Sequence, residues 1–197
     1  MTDIILASGS PRRKELLEQI HLPFTVETSE VEEIVPHEMN PEQTVMYLAS
    51  IKAKAVAEKR TNHLVIGADT VVVLDGRILG KPRNRDHARE MLMNLSGKTH
   101  TVYTGVAIIQ EKQETSFFEK TDVTFWELEQ EEIEGYLDSG EPFDKAGAYG
   151  IQGIGAVLVK EIKGDYFSVV GLPIAALYHR LKEMGYQPSF PLPPKKP

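Results

Sequence analysis

The sequence predicts an α/β fold built on a mixed sheet, and three features carry that expectation. Short, wholly apolar runs at 4–7 and 64–68 have the character of buried strands. Segments with helical spacing alternate with strand-like ones along the chain, the order of an α/β fold. Two longer strand-like runs, 101–109 and 116–125, extend the sheet beyond a simple parallel core. At 197 residues the chain can build one core, or one core divided into two lobes around a cleft.

The run 4–7 leads through the turn Ser8-Gly9-Ser10-Pro11 into a helix expected over 11–20. Ser10 suits the N-cap, Pro11 the first helical position, and Leu16, Leu17 and Ile20 supply a buried stripe. A strand is expected at 24–28, an acidic loop at 30–39 and a helix over 41–60. The run 64–68 follows, with Gly67 marking its end, and then a hairpin of 71–74 with 78–79 around Asp75-Gly76. A helix over 86–95 closes at Ser96-Gly97 and leads into the two long strands, and a further helix is expected over 129–139. The glycine-rich stretch 147–155 has neither period, and a strand at 156–162 and a helix at 173–184 complete the fold. Five prolines within 188–197 predict a loose tail behind a single domain over 1–187.

The net charge of −7 opposes a non-specific nucleic-acid grip, which needs a dominant basic surface. The absence of cysteine excludes thiol catalysis, disulfides and a cysteine-rich zinc site. The first residues lack the basic start and long apolar region of a secretion signal, and no run reaches the roughly 18 apolar residues of a membrane span. Cytoplasm is the expected compartment, with no stable nucleic-acid or membrane partner.

Ser8 to Lys14 is the first segment with chemistry in it. A strand turning through Gly9 into a capped helix gathers backbone N–H groups and a positive helix end at one point, and Arg12 and Arg13 add forked donors suited to phosphate. A solvated first turn is the plain alternative, but cations at a helix N-terminus oppose its dipole. Lys52 falls on the apolar stripe of Val45, Leu48, Ala49 and Val56, so it either reaches into a cleft or snorkels to water. Asp69, in Gly67-Ala68-Asp69-Thr70, can bind a metal or position water at the mouth of a strand, or close that strand with an Asx turn. Glu32 and Glu33 offer oxygen ligands for a hard cation, or a solvated acidic loop. Lys81, in Gly80-Lys81-Pro82, faces phosphate or solvent. In the glycine-rich stretch, Tyr149 supplies an aromatic surface and Gln152 an amide able to read a base edge.

Several motifs fail on inspection. Ser96-Gly97-Lys98-Thr99 is no Walker A loop, because Leu92 stands where its first glycine belongs and the segment leaves a helix for a strand. Residues 147–155 precede no helix and so make no dinucleotide fingerprint. The six histidines form no spaced ligand set, and no Gly-x-Ser-x-Gly elbow is present.

Taken in order, Ser8-Gly-Ser-Pro-Arg-Arg13, Glu32-Glu33, Lys52-Ala-Lys54, Gly67-Ala-Asp-Thr70 and Gly80-Lys-Pro82 resemble the Maf family of nucleoside triphosphate pyrophosphatases. Asp144-Lys-Ala-Gly-Ala-Tyr-Gly-Ile-Gln-Gly153, Gly164-Asp-Tyr166 and Val170-Gly-Leu-Pro173 continue the resemblance. It spans nearly the whole chain except the tail, and the segment 144–153 points to the dTTP/UTP branch over 7-methyl-GTP relatives. The resemblance implies release of pyrophosphate, an elongated mixed sheet with flanking helices, and a cleft between two lobes as in the inosine triphosphate pyrophosphatase fold. It assigns proton acceptance to Asp69, substrate selection to Arg12, Thr70 and Gln152, and other pocket positions to Ser8, Arg13, Glu33, Lys52 and Lys81. The implied cofactor is Mg²⁺ or Mn²⁺, held by Asp69 with Glu32 or Glu33. Wider pyrimidine-nucleotide hydrolysis, a nucleotide-binding role in division or septum formation, and a homodimer stay open.

Overall fold

The computed structural model describes residues 3–36, 38–111 and 113–186, so the expected tail lies outside the described residues. A seven-stranded mixed sheet forms the spine. Its strands are β1 (Ile4–Ala7), β2 (Thr25–Val26), β3 (Leu64–Leu74), β4 (Arg77–Leu79), β5 (Thr99–Gln110), β6 (Gln113–Phe125) and β7 (Val159–Lys163). The order is β2-β1-β3-β5-β6-β7, with β4 paired to β3 off that path. The helices are α1 (Pro11–Gln19), α2 (Pro41–Ala57), α3 (Arg85–Leu95), α4 (Gln130–Asp138), α5 (Tyr166–Val170) and α6 (Ile174–Glu183). None of them is long and apolar enough to cross a membrane.

Strand β3 organises the molecule. One edge pairs antiparallel with β5 from Leu64 to Val73. The other is shared: β1 takes Leu64 to Gly67 in parallel, and β4 takes Val72 to Leu74 antiparallel. Residues 68–71 therefore face a gap in the sheet between β1 and β4. The Asp75-Gly76 hairpin forms as expected, with positive φ at both turn residues (50° and 76°), the geometry of a tight type I′ turn.

Side-chain alternation along the strands divides the core. On one face, Leu6, Ile66, Ala68 and Val106 pack with α1, α5 and α6 through Leu17, Val170 and Leu177. Further along that face, Val72 and Val102 pack with α3 and α4 through Leu92 and Leu137. Thr70 and Thr104 share the same parity and fall between the two apolar clusters. These two hydroxyls mark where one lobe ends and the other begins. The opposite face carries α2, whose Ala49, Ala53 and Val56 pack on Val65, Ala107 and Ile109.

Several expected boundaries shift. Gly67 does not end its strand: β3 runs on through Asp69 to Leu74. A Cβ at Gly67 would come within 2.3 Å of Ala49 O, and one at Gly105 within 2.4 Å of Val45 O, so both glycines admit the α2 backbone onto the sheet. The continuous strand also removes the Asx-turn reading of Asp69. Strand β2 is only two residues long and exposed at the sheet edge. Helix α2 stops at Ala57, and β7 starts only at Val159 because 153–158 winds as a 3₁₀ segment. Helix α5 went unread because five residues are too few to display a helical period.

Candidate active site

The gap beside β3 opens into a cleft of about 770 Å³ between the lobes. Every residue singled out in the sequence lines it except Glu32, which is exposed outside it. Ser8 comes from the β1–α1 turn, Arg12 and Arg13 from the first turn of α1, Lys52 from α2, and Asp69 and Thr70 from the stretch of β3 that pairs with β5 on one edge and faces the gap on the other. Lys81 follows β4, where Gly147 N–H donates to Gly80 O at 3.0 Å and ties this turn to the glycine-rich segment. Gln152 is half-buried in the cleft wall, just before the 3₁₀ turn Gly153–Leu158.

Arg13 is held from behind by three elements. Its Nε donates to Gly171 O at 2.7 Å, and its terminal nitrogens donate to Ser8 Oγ at 3.4 Å and Thr70 Oγ1 at 3.1 Å. Of the five donors on a guanidinium, these three contacts leave two for an anion in the cleft. The hydroxyls behind it are also ordered. Thr104 Oγ1 donates to Ser168 O at 2.7 Å, so in its 2.8 Å contact with Thr70 it accepts, leaving Thr70 oxygen lone pairs for Arg13. Burial lowers the Arg13 pKa from its ordinary value, while the charge of Asp69 opposes that shift. Ser10 occupies the N-cap of α1 without a side-chain cap; Ser8 Oγ instead accepts the Ser10 N–H at 3.2 Å.

Lys52 reaches the cleft rather than snorkelling. Its side chain is 13% exposed, and its Nζ lies 2.6 Å from Asp69 Oδ1 and 3.0 Å from Glu33 Oε1. Asp69 projects to the α2 face because it has the parity opposite to Thr70, and close packing at Gly67 brings Lys52 to it. Two carboxylates thus hold one ammonium at the gap in the sheet. That donor set fits a divalent cation, which commonly takes one or two protein carboxylates and completes its shell with phosphate oxygens and water. Among the described residues, no three His, Asp or Glu side chains gather as a complete metal cage.

Two cleft features were missed in the sequence. Lys145 lines the cleft, donating to Glu141 O at 2.5 Å and to Asp144 Oδ1 at 2.7 Å. Its position directly after Asp144, at the head of the glycine-rich segment, was the available signal. Asp144 in turn pairs with Arg12 across the cleft at 3.3 Å. Tyr149 differs from its expected role: its ring packs edge-on against Phe125 and His100, forming the cleft floor rather than a free stacking surface.

The model of the family described as Maf-like protein matches residues 3–184 of this chain. The chain belongs to the Maf-like family. A Bacillus cereus protein named dTTP/UTP pyrophosphatase is 60% identical over 183 residues, covering 93% of this chain and 96% of that protein. A Bacillus anthracis protein of the same name is 58% identical over the same shares. Among solved structures, the Staphylococcus aureus Ham1 protein superposes with a TM-score of 0.46 at 18% identity, covering 64% of this Maf-like chain and 73% of its own.

Proposed function

We propose that this protein hydrolyses dTTP and UTP in the cytoplasmic nucleotide pool to the monophosphate and pyrophosphate. The observation that carries the reading is the Asp69–Lys52–Glu33 cluster set beside Arg13 in the cleft. Such a cluster pairs carboxylates for cation and proton handling with fixed donors for a polyanion. The name borne by the Bacillus relatives supports the same substrates.

Arg13 offers its two remaining donors to phosphate oxygens, and Arg12 and Lys81 add charge from the two sides of the cleft. Lys52 turns from the carboxylates to the incoming triphosphate, which frees Asp69. A water oxygen then attacks the α-phosphorus, its proton passes to the Asp69 carboxylate, and the bond to the pyrophosphate oxygen breaks. Asp69 and Glu33 would hold Mg²⁺ or Mn²⁺, which when bound supplies charge neutralisation and lowers the pKa of water. Gln152 and Arg12 face the nucleoside and choose it, and Thr70, set behind Arg13, bears on that choice only through the guanidinium it accepts from.

Replacement of Asp69 by Asn should lower kcat on UTP by about 10²- to 10⁴-fold, the usual worth of a positioned base, with nucleotide affinity changed far less. The assay follows UMP and pyrophosphate together, with dTTP, UTP, CTP and GTP as substrates. Near-normal turnover by the Asn variant would sink the role given to Asp69. Absence of both products from the native protein would sink the reaction.

A further inference from the structure

The segment carrying Gln152 is pinned on both sides by two residues outside the cleft lining, Glu141 and Tyr136. Before Gln152, the Gly150 N–H donates to Tyr136 Oη at 3.0 Å. After it, the N–H of Ile154 donates to Glu141 Oε2 at 3.0 Å and that of Gly155 to Glu141 Oε1 at 3.1 Å. Tyr136 Oη itself donates to Glu141 Oε1 at 3.0 Å and closes the network. One carboxylate and one phenol therefore hold three backbone N–H groups on the two sides of one half-buried amide side chain.

The packing leaves this segment little room to move. A Cβ at Gly155 would meet Gly150 O at 2.1 Å, and one at Gly153 would meet Glu141 Oε2 at 2.6 Å. Burial raises the Tyr136 pKa, and the neighbouring Glu141 charge adds to that shift, so the phenol stays a donor. Each Glu141 oxygen accepts from a backbone N–H, a use of carboxylate charge that is strong in a part-buried setting.

The chemistry of an amide gives this clamp its purpose. A glutamine presents one acceptor and one donor group, so it pairs with uracil in one orientation and with cytosine when turned over. Selectivity then depends on how the amide is held against the base. We propose that Glu141 and Tyr136 are positioning residues for base selection, fixing the backbone on both sides of Gln152. The inference rests on the pyrophosphatase reading and on Gln152 facing the base.

The test compares kcat/KM for UTP and CTP in the native protein and in the variants Glu141→Gln, Tyr136→Phe, Gln152→Ala and Glu141→Gln/Gln152→Ala. The UTP-over-CTP preference should fall about tenfold in the Glu141, Tyr136 and Gln152 single variants, through KM more than kcat. The double variant should show no further loss, because two residues acting through one contact are not additive. Thermal melts run in parallel, and Tyr136→Phe remains informative where Glu141→Gln fails to fold. A preference unchanged in the Glu141 or Tyr136 variant, or losses that add in the double variant, would overturn the positioning role while leaving the reaction intact. A native protein that forms no UMP from UTP overturns the reaction and this inference with it.

Discussion

His100 shows how far one side chain's environment can set its charge. It is buried, its Nε2 lies 2.7 Å from Tyr149 Oη, its Nδ1 has no partner, and its ring packs edge-on against Phe125. Burial pushes its pKa down to about 4, against a partial counter-effect from Asp122. The unfolded chain therefore takes up a proton here below pH 6.5 while the native protein does not, so stability is complete above pH 6.5 and falls as pH drops towards 4. Between pH 7 and pH 5 this one group should remove roughly 2 kcal/mol, at 1.36 kcal/mol per pH unit. His100→Gln, which keeps a polar partner for Tyr149, should lack that component in denaturant titrations at the two pH values. An unchanged pH dependence in that variant would place its source elsewhere. None of this was legible in the sequence, because the histidine and its tyrosine stand 49 residues apart. The cleft positions of Arg13 and Asp69 were legible, since a strand turning into a helix, and a carboxylate directly after an apolar run, are local patterns, although the continuation of the strand through Asp69 was not.

Between elements, the decisive contact is α2 lying flush on β3 and β5 at Gly67 and Gly105. Gly67→Ala puts a methyl 2.3 Å from Ala49 O and must lift the helix, at a cost of about 1–3 kcal/mol. Lys52 follows Ala49 by one turn, so kcat should fall together with the denaturation midpoint. Gly135→Ala, inside α4, meets nothing within 4 Å and should be neutral or stabilising by about 0.5–1 kcal/mol. Equal effects at the two sites would remove the packing argument. The sequence shows why Gly67 is easily misread. A glycine in an apolar run resembles a strand end, and only the neighbouring helix reveals that it permits close approach. Helices with a strong period were readable in advance: α3 and α4 match their expected spans to within one residue at each end. A segment governed by glycine geometry was not, which is why β7 begins late, and α5 is too short to display a period at all.

At the scale of the whole molecule, the cleft reverses the sign of the protein. The chain carries −7, yet the cleft is lined by the cations of Arg12, Arg13, Lys52, Lys81 and Lys145 against the carboxylates of Glu33, Asp69 and Asp144. A polyanion is thus repelled by the surface at large and held in one place, which makes capture sensitive to salt. The two lobes meet across this cleft through Arg12 and Asp144, an ion pair at 3.3 Å with the carboxylate 65% exposed. So exposed a pair contributes about 0–1 kcal/mol, and Asp144 competes with the nucleotide for the same guanidinium. Asp144→Asn should therefore leave the melting temperature nearly unchanged and lower KM for UTP about two- to fivefold at low ionic strength. At high salt the difference should vanish, because screening weakens the competing pair and the new attraction alike. A rise in KM at low salt would show the reverse relation, with Asp144 holding Arg12 in its binding position rather than withholding it from the substrate.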